Sequence, residues 1–193
     1  MARAREFDPE AALNAAMLVF WRNGYFATSI DDLVGATGVS RYGLYGVYEN
    51  KQGLFLAALD LYMNTVVREL ASVLHAPGAD LDTVRTFVRQ LGAISADPSG
   101  QRGCLLWNTA SEVAPHDPAV ARKVEEFRTY LTSGFRHALK NAQDHGKVAP
   151  NFPVDREADF LSGVVQNLAV LARSRAGAEA TANFVETALS TLH

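Results

Sequence analysis

Arg41, Tyr42, Tyr45, Tyr48 and Lys51 fall within eleven consecutive residues, with Ser40 just ahead of them. A guanidinium can donate two hydrogen bonds to a guanine edge, and a tyrosine ring can pack on a thymine methyl. Phenol and ammonium groups donate to phosphate oxygens. These groups suit the grip of a polyanion rather than the breaking of bonds. No catalytic set converges elsewhere. The five histidines, His75, His116, His137, His145 and His193, are scattered, with none at the i, i+4 spacing of a helical zinc pair. A single cysteine cannot build a thiolate metal site. Gly-x-Ser-x-Gly, P-loop and dinucleotide motifs are absent from the sequence. The expectation is a protein that is not an enzyme and needs no metal or cofactor.

Two short helices would position the basic and tyrosine side chains. Thr28 or Ser29 can cap a helix reaching Thr37, with Asp31 and Asp32 in a first turn where the dipole favours negative charge. Ile30, Leu33 and Val34 share one face. Gly38 ends that helix, because glycine takes a left-handed backbone without strain. Val39 fills the turn, and Ser40 caps a second helix over about 41–47 with Leu44 inward and Arg41, Tyr42 and Tyr45 outward. This pattern predicts a helix-turn-helix whose second helix enters a major groove.

The order Gly24-Tyr25, Thr28-Ser29-Ile30, Leu33-Val34, Thr37-Gly38-Val39-Ser40, Leu44-Tyr45, Tyr48-Glu49-Asn50-Lys51 and Leu54 resembles the N-terminal domain of the TetR family of repressors, over about residues 8–60. The resemblance implies an all-α protein of about nine helices. A three-helix DNA-binding domain, residues 1–50, would precede a C-terminal helical domain for effector binding and dimerisation, residues 51–193. It implies a homodimer on a palindromic operator, released when a small molecule enters the second domain. By the same resemblance Tyr45, Tyr48 and Lys51 match phosphate contacts, Ser40, Arg41 and Tyr42 lie near bases, and Thr28 and Ser29 join the DNA-contacting set. The chain departs from the pattern at Gly43 and Gly46, each of which weakens a helix by about 1 kcal/mol relative to alanine. It also departs at Gln52, where an acid is common, followed by Gly53.

The chain has 193 residues, 48% of them hydrophobic, enough to bury a core. Its net charge of −3 leaves DNA binding to a few placed cations, hydroxyls and helix N-termini. Arg3 and Arg5, ahead of the first helix, can reach a minor groove or belong to a solvated tail. One cysteine, no signal peptide and no long apolar run fit a cytoplasmic protein with no membrane partner.

Asp8-Pro9-Glu10 starts a first helix that Gly24 stops. Asn50 caps a long helix over about 51–75, the lever into the second half. Further helices are expected over about 82–96, from Cys104 to Val113, 118–145, 155–175 and 179–192. Phe160, Val164, Leu168 and Leu171 on one of the last pair, with Phe184 and Ala188 on the other, form apolar faces wide enough to build a four-helix interface with a second copy. Trp107, Asn108, Phe127, Tyr130, Leu131 and Asn167 mix aromatic walls with polar groups and are the candidate effector pocket. Cys104, near a helix start and close to Arg102, is a candidate redox or electrophile sensor, since a helix dipole lowers a thiol pKa. A cysteine-sensing regulator on the same scaffold, and a helical small-molecule-binding protein without DNA readout, stand as alternatives.

Overall fold

The computed structural model describes residues 7–192; Arg3, Arg5 and His193 lie outside them. Ten α-helices follow one another: α1 Pro9–Asn23, α2 Ile30–Thr37, α3 Arg41–Tyr48, α4 Lys51–Tyr62, α5 Arg68–Ala71, α6 Leu81–Ala96, α7 Leu105–Glu112, α8 Pro118–Asp144, α9 Val154–Ser174 and α10 Ala178–Leu189. A π turn, Met63–Val67, joins α4 to α5, and a 3-10 turn, Ser72–His75, extends α5. Counted as one rod, that run leaves nine rods among the described residues, and no strand occurs among them.

The helix starts follow their capping chemistry. The Asp8 carboxylate accepts from the Glu10 and Ala11 amides ahead of Pro9, and Asp117 does the same for Ala119 and Val120 ahead of Pro118. Of the two candidate caps for α2, Ser29 is the one used. Its hydroxyl accepts from the Asp32 amide at 3.1 Å while Asp32 accepts from the Ser29 amide at 2.8 Å. The Ser29 hydroxyl, at 2.7 Å, and the Ser29 amide both donate to the Asp32 carboxylate and hold its pKa below the ordinary range. Thr28 instead turns inward, almost fully buried, and its hydroxyl donates to the Gly24 carbonyl at 2.5 Å. Its side chain is turned into the head and not toward a duplex, which differs from the sequence expectation.

The three-helix head closes on Phe20, Phe55, Leu33 and Leu44, all at most 1% exposed. Each such side chain contributes about 1.5–3 kcal/mol on burial. Phe20 and Tyr25 pack on Phe55 with ring centroids 4.9 and 4.8 Å away. This apolar core continues without interruption into the rest of the chain through α4. There α8 and α9 run antiparallel, as the pairs Arg136–Asp155 and Arg128–Asp159 require. Leu131, Phe135 and Leu139 of α8 meet Leu161, Val164 and Leu168 of α9 in the buried core.

The last two helices divide the apolar face expected at their interface. Val164, Leu168 and Ala188 are at most 3% exposed and pack inside their own chain, so they are unavailable to a partner. Leu171 and Phe184 are half-buried, while Phe160 and Val170 are 43% and 55% exposed. The outward part of α9 is therefore the narrower row Phe160, Gly163, Asn167 and Val170.

Candidate nucleic-acid interface

Helix α3 sits on the head with its N-terminal half facing out. The Ser40 hydroxyl accepts from the Gly43 amide at 3.2 Å, fixing the first turn. Leu44 is fully buried and anchors the helix. With that face inward, Arg41 points out and Tyr42 is 91% exposed. The Arg41 guanidinium lies 5.4 Å from the Tyr45 ring centroid, which preorganises its fork. The Tyr48 hydroxyl donates to the Pro9 carbonyl at 3.0 Å, tying the end of α3 to the start of α1. The Lys51 ammonium lies 4.4 Å from the Tyr25 ring centroid. Partial burial lowers its pKa, against the opposing pull of Glu112 and Asp32.

The four departures from the repressor pattern have distinct physical settings. A Cβ on Gly43 would stand 2.8 Å from Val39 Cγ1, so that glycine lets α3 close on the turn. A Cβ on Gly46 would meet nothing within 4 Å. Gly46 is on the open side, where its lack of a side chain allows close approach of a duplex. A Cβ on Gly53 would lie 2.1 Å from the Tyr48 carbonyl oxygen, so only glycine lets α4 start where it does. Gln52 Nε2 donates to Asp117 Oδ2 at 2.5 Å. A carboxylate at position 52 would face that aspartate and be repelled.

A second joint links the head to the rest of the chain. Glu112, at the end of α7, accepts from the Phe26 amide at 2.8 Å and fills the space beside Gly24, where a Cβ would come within 2.7 Å of its carboxylate. Sequence reasoning missed Glu112 and the partner of Gln52, because their partners lie 86 and 65 residues away.

The start of α7 borders a cavity of about 460 Å³, within the size range of small-molecule sites. Its walls come from Trp21, from Tyr62, Thr65 and Val66 at the π turn, from Glu69, from Phe87, Leu91 and Ile94 of α6, and from Cys104, Phe127, Leu131, Leu168 and Ala169. Ile94 and Leu70 are exposed as well as wall-forming, and so form an apolar lip. Of the expected pocket residues, Phe127 and Leu131 line this cavity. Trp107 is buried behind Phe127, with ring centroids 4.9 Å apart. Asn108 spends its amide on the Arg102 carbonyl at 2.9 Å. Tyr130 faces away, stacked on His75 and bordering a different depression. Asn167 is half-buried and not among the wall residues.

Cys104 stands just ahead of α7, with no side-chain capping bond, and lines the cavity. Burial pushes its thiol pKa up, outweighing the Trp107 amide, the Tyr62 hydroxyl and the Leu106 amide, which favour the thiolate. Arg102 does not help, for its guanidinium lies 4.5 Å from the Trp21 ring centroid instead. Burial thus opposes the dipole activation expected from the sequence.

Residues 81–188 match the family model of the tetracyclin repressor-like C-terminal domain, and residues 12–58 match that of bacterial regulatory proteins of the tetR family. The chain belongs to the TetR family. As a TetR-family protein it is a DNA-binding transcriptional regulator. It is 31% identical to the HTH-type transcriptional regulator YezE of Bacillus subtilis (strain 168) over 193 residues, 100% of both chains. It is 29% identical to the HTH-type transcriptional repressor ComR of Escherichia coli (strain K12) over 178 residues, which are 92% of this chain and 85% of ComR. Among solved structures, a cysteine variant of the TetR-family regulator CifR complexed with 26 bp operator DNA matches with a TM-score of 0.87 at 29% identity. That match covers 99% of this chain and 100% of CifR. Among the described residues no helix is long and apolar enough to cross a membrane, and no group of histidine, cysteine and acidic residues could hold a metal.

Proposed function

We propose that the chain is a ligand-released repressor that grips a palindromic operator as a homodimer, residues 1–50 reading DNA and residues 51–193 sensing and dimerising. The observation that carries this is the outward face of α3. Arg41 and a 91% exposed Tyr42 stand on a capped helix whose buried side is fully used. Such a face has no work to do within the chain, and it suits base edges. Ser29, Tyr45 and Lys51 would approach phosphates at its flanks, with Ser40 beside the bases; Tyr48, whose hydroxyl proton goes to the Pro9 carbonyl, would serve that edge by holding α3 to α1. The structure of CifR with operator DNA supports the same docking. Phe160, Gly163 and Val170 on α9, with Phe184 on α10, would form the seam between copies. The apolar cavity would take a small molecule of low polarity.

Signal transfer would run through α7. Its first residue neighbour, Cys104, touches the cavity, and its last residue, Glu112, holds the α1–α2 loop. A ligand shifts this balance only if it prefers the arrangement that misplaces α3. Burial of Cys104 works against a thiolate, which favours occupancy of the cavity over thiolate chemistry as the trigger.

Titration of a labelled duplex from the region upstream of its own gene, at about 0.15 M salt, tests the reading. Saturable binding that an equal-length scrambled duplex cannot displace supports it, and equal affinity for both duplexes overturns it. In the same assay Glu112→Ala is expected to weaken binding, because the loop that positions α2 loses a charge-assisted hydrogen bond. The loss should appear as about 2 kcal/mol in denaturant unfolding. Glu112→Gln, which keeps an acceptor, should recover part of both.

A further inference from the structure

Four arginines surround a second depression, of about 680 Å³, that the operator reading does not use. Arg22 stands in the last turn of α1, Arg102 in the loop before α7, Arg173 in the last turn of α9 and Arg175 just beyond it. No carboxylate lines the depression, and none of the four is paired with a described acid. Elsewhere in the chain Arg85, Arg89, Arg128, Arg136 and Arg156 each lie within 4.0 Å of a carboxylate oxygen. In a protein of net charge −3 this is a local concentration of positive charge without a counter-ion.

Their own contacts leave most donors available. Arg173 Nη1 reaches the Trp21 and Arg102 carbonyls only at 3.5 and 3.4 Å, at the weak end of hydrogen bonding. Arg102 lies over the face of Trp21, an arrangement that leaves the edge of its guanidinium open. Arg175 holds a left-handed backbone, φ +56°, where a residue with a Cβ is disfavoured by about 1–2 kcal/mol. Glycine would relieve that cost, yet arginine occupies the position.

The geometry points to a binding site for a small polyvalent oxyanion, a phosphorylated or polycarboxylate metabolite, held between the head and the C-terminal part. Guanidinium forks match two oxygens of such a group at once. Duplex phosphates do not fit the placement. Tyr48 ties the start of α1 to α3, and the rise of α1 from Pro9 carries Arg22 about 20 Å from that end. An anion here would bridge Arg22 of α1 to three arginines of the C-terminal part and fix the angle between them. The loop that carries Arg102 also reaches the apolar cavity, through Gly100 and Gly103. The effect on operator affinity rests on the repressor reading; the anion site itself does not.

Calorimetric titration of the full chain with pyrophosphate, and separately with citrate, at constant ionic strength is the test. One anion per chain is expected, with a Kd on the order of 0.1 mM. Arg173→Gln and Arg22→Gln should each weaken it at least about tenfold, and Arg156→Gln on the far side of the charge pattern should leave it unchanged. Arg22 is exposed, so its variant keeps the test valid even if Arg173→Gln unfolds. Preference for pyrophosphate identifies a phosphorylated ligand, and preference for citrate a polycarboxylate. No binding at about 10 mM of either anion, about a hundredfold above the expected Kd, overturns the site, as does equal weakening in Arg156→Gln. If Arg22→Gln lowers operator affinity and flattens its salt dependence with no anion present, these arginines serve DNA phosphates and the proposal fails.

Discussion

Replacing Arg41 and Tyr42 together with alanine is expected to cut operator affinity by roughly a hundredfold while leaving the unfolding curve unchanged. Each base-reading side chain is worth about 1–3 kcal/mol, and neither of these two is needed to hold α3. Tyr42 is 91% exposed, and Arg41 is exposed with its guanidinium 5.4 Å from the Tyr45 ring centroid. The anchor of the helix is Leu44, on the opposite side. The single variants should separate by mechanism. Arg41→Ala relaxes the preference for one base pair, whereas Lys51→Ala weakens binding evenly across sequences and lowers the salt slope. Anisotropy titrations against the operator and point-substituted duplexes read both effects. Parent-like binding by the double variant would place the docking face elsewhere.

Gly53→Ala should act the other way round, through the fold. The new Cβ would stand 2.1 Å from the Tyr48 carbonyl oxygen, a backbone atom that cannot swing aside. The start of α4 must then move off the end of α3, at a cost of about 3 kcal/mol. For a chain of this size that lowers Tm by roughly 10 °C. Operator affinity should fall with it, because Lys51 and the Gln52–Asp117 bond sit on the displaced turn. Gly46→Ala gives the contrast. Its Cβ enters open space, and the better helix former stabilises α3 by up to about 1 kcal/mol. Melting curves of the two variants beside the parent read the difference in sign.

The parts of the fold visible in the sequence are those with local causes. Asp8-Pro9 and Asp117-Pro118 mark helix starts because a cap and a fixed φ act within three residues. Ser40 and Gly38 set the turn of the helix-turn-helix in the same way. The interior of the long rod after Asn50 was readable as helix but not its π turn, since Met63–Val67 keeps the apolar character of an ordinary helical stretch. The site is less legible because its joints are non-local. Nothing near Phe26 announces Glu112, and nothing near Gln52 announces Asp117. Thr28 has the right type for a DNA contact, but its hydroxyl is drawn back to Gly24. The wide apolar faces of α9 and α10 could not reveal which half faces inward; Val164, Leu168 and Ala188 went to the chain's own core. At Cys104 the dipole argument was sound in sign, yet burial, which depends on the whole fold, outweighed it.

Hydroxyl-radical footprinting of the upstream duplex with the intact protein bears most directly on the claim that two copies of α3 grip one duplex. The account requires two protected patches about 10–10.5 base pairs apart on one face, the spacing of successive major grooves. A single patch, or protection spread evenly along the duplex, would contradict it.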